Sequence, residues 1–273
     1  MKQFVQLGPV QETLLIPLFA RADETRKSQP IIRDPKAVEI VDALDFDFRQ
    51  FKQSQRTLLG CCLRGLQFDD WCRSFLTDHP TGTVVELGAG LNTRFERVDN
   101  GQCRWFDLDL PDSMELRQRF FAETERRRFL SASVSDLSWM AEVAATGGPW
   151  LFIAEAVLVY LPEAEVRRTI AQIADHFPAS SLAFDTIHTR MKEAEAKDKA
   201  FQNAQPLFDW AIDDIEQLTQ WDSRYVIKDR VTLGDVAIRH RFELPLRVLF
   251  FGKLFAWMHP KFAKSYHLNW LKW

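Results

Sequence analysis

Cysteine is scarce in this sequence, and its spacing does not suggest a metal. Only four of the 273 residues are cysteines: Cys61, Cys62, Cys72 and Cys103. No two of them form the Cys-x-x-Cys pair that zinc sites and dithiol redox centres commonly use. We therefore expect buried free thiols and no metal site.

An excess of positive charge is also absent. The chain has 35 Lys and Arg residues against 38 Asp and Glu residues, which gives a formal net charge of −3. General nucleic-acid binders usually carry a basic excess, so the charge balance argues against a nucleic-acid partner.

Long apolar runs are missing as well. The longest one, Val248–Trp257, contains Lys253 and is too short to span a membrane. The first residues lack the basic-then-apolar pattern of a secretory leader. We therefore expect no stable membrane insertion and a cytoplasmic location.

Tyrosine is rare, with 3 residues, whereas 22 Phe and 9 Trp residues are present. Such a composition fits either an aromatic core or a pocket for a flat, apolar substrate. Composition alone does not separate these two interpretations.

The most informative stretch is residues 84–94, Val-Val-Glu-Leu-Gly-Ala-Gly-Leu-Asn-Thr-Arg. Its β-branched start predicts a strand. Gly88 and Gly90 at the strand end predict a tight turn where a ligand approaches the backbone closely. A helix that begins near Thr93 would direct its free amides towards that ligand.

A second predicted strand, residues 103–109, ends in Asp109, with Asp107 on the same face. An acid about twenty residues after a glycine turn is suited to accept hydrogen bonds from ribose hydroxyls. The third glycine of the dinucleotide fingerprint is missing, and Glu86 already lies inside the turn motif. These features favour S-adenosylmethionine over a nicotinamide dinucleotide.

From residue 83 onward, predicted strands and helices alternate, which indicates an α/β fold with a parallel sheet and helices on both faces. The strands are predicted at 83–88, 103–109, 128–133, 150–156 and 180–187, and the helices between them at 93–99, 112–125, 136–145 and 163–176. The flanking elements are helices at 12–22, 35–44, 53–76, 189–204 and 213–221 and strands at 225–231 and 265–273. We predict one domain over residues 1–273, with a helical cap (1–82), a cofactor-binding core (83–187) and a lid or insert with the last strands (188–273).

Glu155 interrupts the apolar run of residues 150–162. A buried carboxylate needs a partner, and the ends of such strands line the ligand crevice of open α/β sheets. Glu155 therefore faces either the ammonium or methyl group of the cofactor, or a nearby arginine. Both interpretations stay open at this point.

Several motifs together resemble the leucine carboxyl methyltransferase family, in particular its bacterial tetracenomycin polyketide O-methyltransferase-like branch. The resemblance spans residues 11–231. The motifs are ETLLIPLFARA at 12–22, RDP at 33–35, VELGAGLNTR at 85–94, DLDLP at 107–111 and AEAVLVYL at 154–161. The resemblance implies a class I, Rossmann-like methyltransferase with a mostly parallel seven-stranded sheet, which uses S-adenosylmethionine, releases S-adenosylhomocysteine and methylates a carboxylate or hydroxyl oxygen.

The resemblance also implies roles for individual residues. Arg64 would hold the cofactor's carboxylate, an arrangement suited to a bidentate guanidinium pair. The other implied cofactor contacts are Arg21 as a second basic group, Gly88 in the glycine turn, Asp109 on the ribose and Glu155 after the fourth strand. From the turn motif itself we also expect cofactor contacts at Glu86 and Gly90. Tyr160 matches a tyrosine on the substrate side.

Two positions depart from the family pattern. Asn92 stands where an aspartate is common, and the adenine-side acid is replaced by Ser133, which Val134 follows. Asp136, three residues later, either compensates for the missing acid or caps the next helix. The adenine contact at Ser133 and Val134 is thus the least typical part of the expected cofactor site.

The acceptor decides whether a base is required. A carboxylate is already ionised at neutral pH and needs only alignment, whereas a phenol needs a general base. His188, directly after the fifth strand, is the candidate base, although a solvent-facing loop histidine is the alternative. We expect a small-molecule acceptor. The rivals are a protein C-terminal carboxyl methyltransferase, a non-catalytic S-adenosylmethionine or nucleotide binder, and, more weakly, a nicotinamide dehydrogenase. The oligomeric state is not predictable from the sequence.

Overall fold

Residues 9–197, 208–250 and 263–273 are described by a computed structural model. Within these ranges the chain forms a seven-stranded sheet of order β3-β2-β1-β4-β5-β7-β6. Strands β1 to β5 are parallel, and β7 runs antiparallel to both β5 and β6. The strands are β1 Thr83–Leu87, β2 Arg104–Asp109, β3 Arg127–Ser131, β4 Trp150–Ala154, β5 Ser181–Ile187, β6 Val226–Thr232 and β7 Tyr266–Lys272.

Helices precede the sheet, connect its strands and flank the antiparallel β6–β7 pair. They are α1 Pro9–Thr25, α2 Pro35–Ala43, α3 Gln55–Asp78, α4 Arg94–Val98, α5 Pro111–Gln118, α6 Met140–Ala144, α7 Glu163–His176, α8 Thr189–Lys197, α9 Leu218–Trp221 and α10 Leu233–Arg239. Short 3-10 helices lie at Phe48–Gln53, Leu158–Tyr160 and Ile215–Gln217. The predicted α/β class with a mostly parallel seven-stranded sheet is confirmed.

Two apolar layers cover the sheet because successive residues of a strand point to opposite faces. In β1, Val84 belongs to the layer that contains the N-terminal helices, and Val85 belongs to the layer under α6 and α7. Every residue of β1 is buried, as expected of a central parallel strand. The four cysteines are buried and unpaired, which confirms the expectation of free thiols.

The cap of α2 was predictable from the local sequence. Asp34 precedes Pro35 at the first helical turn, and the Asp34 Oδ1 accepts a hydrogen bond from the backbone N–H of Ala37 at 2.9 Å. An aspartate at this position satisfies one of the amides that a helix start leaves without a partner.

Three predicted helices differ clearly from the structure. The one predicted at 213–221 is a 3-10 helix at Ile215–Gln217 followed by the short α9. The helix predicted at 112–125 ends at Gln118, because Phe121 turns inward beneath the guanidinium groups of Arg117 and Arg127, 4.4 and 4.9 Å from its ring centroid. The helix predicted at 136–145 begins only at Met140, because residues 133–139 form turns.

Some predicted segments fall partly outside the described residues. Of the helix predicted at 189–204, α8 covers residues 189–197, and residues 198–204 are outside the described ranges. Residues 251–262 of the predicted lid, which include part of Val248–Trp257, are outside as well. Within the part of the chain that the structure covers, no helix is long and apolar enough to cross a membrane.

Candidate cofactor and acceptor site

The turn after β1 is as tight as its glycines predict. Gly88 and Gly90 have φ values of +64° and +45°, in the left-handed region that residues with a side chain disfavour. A Cβ atom added at Gly88 would lie 2.4 Å from Cγ2 of Val157, and one added at Gly90 would lie 2.8 Å from Cδ2 of Leu14. The turn therefore requires glycine both for its backbone conformation and for close packing.

Asp109 ends β2 directly beside this turn. Its Oδ2 accepts a hydrogen bond from the Gly90 N–H at 2.6 Å, and its Oδ1 accepts one from the Leu110 N–H at 2.7 Å. A carboxylate has about four acceptor positions, so its oxygens retain capacity for ribose hydroxyls. Burial raises the pKa of Asp109, although the two amides oppose that shift.

Asp107, the alternative ribose acid, serves a structural role. It is fully buried and forms ion pairs with Arg117 at 3.0 Å and Arg127 at 2.7 Å. The Trp105 indole N–H also donates to its Oδ1. Because these partners occupy Asp107, Asp109 is the better candidate for the cofactor.

Glu155 follows β4 and is surrounded by positive charge. Arg64 donates from Nε to its Oε1 at 2.7 Å, Arg94 donates from Nη2 to its Oε2, and the Asn92 amide donates at 3.2 Å. Although burial opposes ionisation, Arg64 and Arg94 hold the pKa of Glu155 well below its usual range. The next residue, Ala156, has a φ of +54°, which marks local backbone strain at this edge.

Arg64 is a largely buried member of this cluster, with a side chain that is 12% exposed, rather than a surface residue of α3. Besides Glu155, its Nη1 donates to the Tyr266 hydroxyl at 2.9 Å and lies 3.7 Å from Asp185. Within the described residues these contacts use Nε and Nη1, so Nη2 is the guanidinium nitrogen left for a ligand carboxylate.

Arg21 lies elsewhere in the cluster. Its Nε donates to Asp34 at 2.8 Å, and its Nη2 donates to the Leu91 carbonyl at 3.1 Å. These hydrogen bonds connect α1 with the start of α2 and with the glycine turn. A second basic contact to the cofactor from Arg21 stays a prediction.

Glu86 is buried in β1 and is incompletely paired. Its Oε1 accepts hydrogen bonds from Arg94 and from the Asn92 amide, whereas its Oε2 has no hydrogen-bond partner within the described residues. Burial raises the pKa of Glu86 to about 7, because the opposing charge of Arg94 is shared with other carboxylates.

Arg94 is the central cation of the cluster, and sequence reasoning did not select it. Its side chain is fully buried, and it forms ion pairs with Asp69 of α3, Glu86 of β1 and Glu155 after β4. Arg97, one turn later, also pairs with Asp69. The local sequence indicated only that Arg94 is a charged residue in a short helix beside the glycine turn, and this did not predict its burial.

The loop after β3 has the adenine-side candidates. The Ser133 N–H donates to Asp136 Oδ2 at 3.1 Å, and its Oγ accepts from the Ser135 N–H at 3.2 Å. Val134 is buried, with 9% of its surface exposed. Since α6 begins at Met140, Asp136 stabilises this loop and does not cap that helix.

The two acceptor-side candidates are connected by one segment. The Tyr160 ring stacks on Phe208 with centroids 5.4 Å apart, and the His188 Nδ1 lies 2.9 Å from Asp213 Oδ1. Between them, the Trp210 N–H donates to the Val159 carbonyl at 3.1 Å. Residues 208–213 thus connect the ends of β4 and β5, although Asp213 was not among the predicted site residues.

Comparison with known proteins identifies the family. The leucine carboxyl methyltransferase family model matches residues 15–174. The tetracenomycin polyketide synthesis O-methyltransferase TcmP of Streptomyces glaucescens is 32% identical over 188 residues, which cover 68% of this chain and 69% of that protein. The S-adenosyl-L-methionine-dependent methyltransferase dpfgK of Gibberella zeae is 27% identical over 193 residues, 65% of each chain.

A solved structure shows the same fold at low sequence identity. A DUF574 family protein from Streptomyces avermitilis superposes with a TM-score of 0.57 at 12% identity, over 97% of this chain and 99% of that one. These comparisons confirm the predicted family, the methyltransferase activity and the S-adenosylmethionine cofactor. They favour this prediction over a dehydrogenase and over a non-catalytic binder. This chain belongs to the leucine carboxyl methyltransferase family and is an S-adenosylmethionine-dependent methyltransferase.

Proposed function

We propose that this enzyme transfers a methyl group to an oxygen of a small, aromatic, polyketide-like acceptor. One observation carries the proposal. The glycine turn, Asp109, Arg64 and Glu155 come from β1, β2, α3 and β4, and all lie at the carboxyl edge of adjacent strands. Ligands of open α/β sheets bind in the crevice at this edge.

The residues at this edge suit the chemical groups of S-adenosylmethionine. Arg64 would hold the carboxylate through Nη2, and Asp109 would accept hydrogen bonds from the ribose. The backbone of Gly88 and Gly90 allows close approach, and Ser133 and Val134 would border the adenine. Glu86 Oε2, a buried acceptor without a partner in the described ranges, suits the ammonium group.

S-adenosylmethionine supplies an electrophilic methyl group on its sulfonium sulfur. The protein has to orient the donor and the acceptor oxygen and exclude water. Glu155 contributes indirectly in this scheme, because its bonds to Arg64 and Arg94 hold both guanidinium groups in place. Its low pKa keeps those bonds charged across the physiological range.

The acceptor would lie against Tyr160 and Phe208, whose stacked rings offer a flat apolar surface. That surface favours an aromatic small molecule over the peptide tail of a protein substrate. A hydroxyl acceptor would lose its proton to His188, whose Nδ1 accepts from the Arg190 backbone N–H at 3.2 Å and lies 2.9 Å from Asp213. A carboxylate acceptor would need no base.

Calorimetric titration with S-adenosylhomocysteine tests the cofactor assignment. We expect Arg64→Met to weaken binding at least tenfold, since a charge-assisted pair to the carboxylate is lost. Arg73→Met is the matched control, because Arg73 lies on the same helix and is 46% exposed. Unchanged affinity in a folded Arg64→Met protein would remove Arg64 from the site.

Methyl transfer from labelled S-adenosylmethionine to polycyclic phenols, to polycyclic aromatic acids and to peptides ending in leucine tests the acceptor. We expect turnover with the aromatic compounds. His188→Ala should slow the reaction of phenols about a hundredfold and leave that of acids unchanged. Turnover of the peptides alone would refute the small-molecule assignment.

A further inference from the structure

A cleft of about 480 Å³ lies away from the cofactor edge, between α3, α10 and the β6–β7 end of the sheet. Gln67 and Trp71 of α3 and Trp270 of β7 line it. The charged or titratable residues of the lining are Asp70, Lys228, Asp229, Arg239 and His240. Trp270 is four residues along β7 from Tyr266, which corresponds to about 13 Å of strand. The cleft is therefore separate from the arginine–carboxylate cluster.

Two polar atoms in the lining are buried without a hydrogen-bond partner among the described residues. They are the acceptor Gln67 Oε1 and the donor Trp270 Nε1. Gln67 is 3% exposed and Trp270 is 4% exposed. Buried polar groups in folded proteins nearly always have partners, so a polar group of a ligand or of water belongs at each of these atoms. A hydroxyl group both accepts and donates, and it is chemically able to serve both atoms.

One positive charge in the lining is not compensated by an acid in the covered ranges. Arg239 binds both oxygens of Asp229, at 2.6 and 2.9 Å, and these charges cancel. Lys228 forms no ion pair with a described residue, and its Nζ lies 3.6 Å from the centroid of the Trp270 ring. The other acid of the lining, Asp70, lies 2.7 Å from His240 Nε2 and 3.3 Å from Arg73 Nη1. Among the described lining residues, Lys228 is therefore the cation left for an anionic group next to the aromatic surface.

We propose that this cleft is a second ligand site, for a planar aromatic carboxylate that also has a hydroxyl group. The ligand ring lies against Trp71 and takes the place of the Lys228 ammonium on the Trp270 ring, and the two tryptophan ring centroids are 5.8 Å apart. The carboxylate pairs with Lys228, and the hydroxyl serves Gln67 and Trp270. The site is independent of the methyl-transfer assignment, since none of these residues belongs to the cofactor edge.

Calorimetry with 6-hydroxy-2-naphthoate, in the absence of S-adenosylmethionine, tests this site. We expect saturable binding of the probe. 2-Naphthoate, which lacks the hydroxyl, should bind about tenfold more weakly, because the two buried atoms lose their partner. 2-Naphthol, which lacks the carboxylate, should bind about threefold more weakly, because Lys228 is exposed.

Variants locate the bound probe. Trp270→Phe retains a ring but removes the donor, and we expect a tenfold loss of affinity. Lys228→Gln should lose about threefold, and Lys272→Gln, at an exposed position of β7 outside the cleft, should lose nothing. Tyr160→Ala should not change the affinity, since Tyr160 belongs to the acceptor side.

Three results would each overturn the proposal. The first is the absence of binding by all three naphthalenes, which would assign the two buried atoms to water. The second is binding that Trp270→Phe and Lys228→Gln leave unchanged. The third is binding that Tyr160→Ala abolishes, which would place the probe on the acceptor side. S-adenosylhomocysteine affinity, measured on the same proteins, reports folding of the cofactor edge separately. If Trp270→Phe does not fold, the affinity of the Lys228→Gln variant, changed at an exposed position, still shows whether the probe binds in this cleft.

Discussion

Replacement of Glu86 by glutamine tests the electrostatics of the buried cluster. Burial raises the pKa of Glu86 from its ordinary 4.5 to about 7. Since one pKa unit corresponds to about 1.4 kcal/mol, ionised Glu86 is about 3 kcal/mol less favourable in the folded protein than in the unfolded chain. Glutamine has nearly the same shape and does not titrate.

The sign of the effect follows from proton binding. Between pH 4.5 and 7 the folded protein holds a proton on Glu86 that the unfolded chain has released, so the wild type loses stability as the pH rises. The Glu86→Gln protein lacks this loss. From pH 5 to pH 8, its free energy of unfolding should therefore rise by about 2 to 3 kcal/mol relative to wild type.

Urea denaturation at pH 5 and pH 8 measures this difference. Glu142→Gln is the control, because the Glu142 side chain is 50% exposed and its replacement should not alter the pH dependence. If the relative stability of Glu86→Gln were constant with pH, Glu86 would be ionised throughout. The pair with Arg94 would then outweigh burial, and our account of the cluster would be wrong.

Three further substitutions test the site. Asp109→Asn should weaken S-adenosylhomocysteine binding at least tenfold in calorimetry, whereas the neighbouring exposed Asp112→Asn should not. Gly88→Ala should lower the free energy of unfolding by about 2 to 4 kcal/mol, through left-handed strain and a clash with a neighbouring valine. Gly147→Ala, at φ +68° with open space around the added Cβ, should show the strain alone, about 1 kcal/mol, in the same denaturation assay. Arg94→Met should cost about 3 to 5 kcal/mol in thermal or urea unfolding, because buried carboxylates lose their shared partner; a cost below 1 kcal/mol would contradict its central role.

Features set by neighbours in sequence were predictable. The alternation from residue 83, the glycine turn and the cap at Asp34 depend on periodicity and turn residues within a few positions, and the structure has all three. Asp109 was predicted as the ribose acid from its spacing after the glycine turn, and in the structure it lies beside that turn because neighbouring parallel strands end at the same edge. The family resemblance, rather than residue patterns, directed attention to Arg64.

Helix ends were less predictable because they depend on distant contacts. The apolar pattern of residues 112–125 continues beyond Gln118, where α5 ends. The chain turns there because Phe121 gains two guanidinium neighbours, one of them Arg127 from the next strand. Such contacts override local helix propensity.

The sequence by itself determined the α/β order, the turn that a cofactor approaches and the acid next to it, since these follow from short-range backbone preferences. Only the tertiary structure decided which charges meet. Arg94 pairs with Asp69 and Glu155, residues 25 and 61 positions away, and Arg64 pairs with Glu155, 91 positions away. Such pairings depend on how α3 crosses the sheet. No local pattern encodes that crossing, because burial of each charge is favourable only once its distant partner is in place.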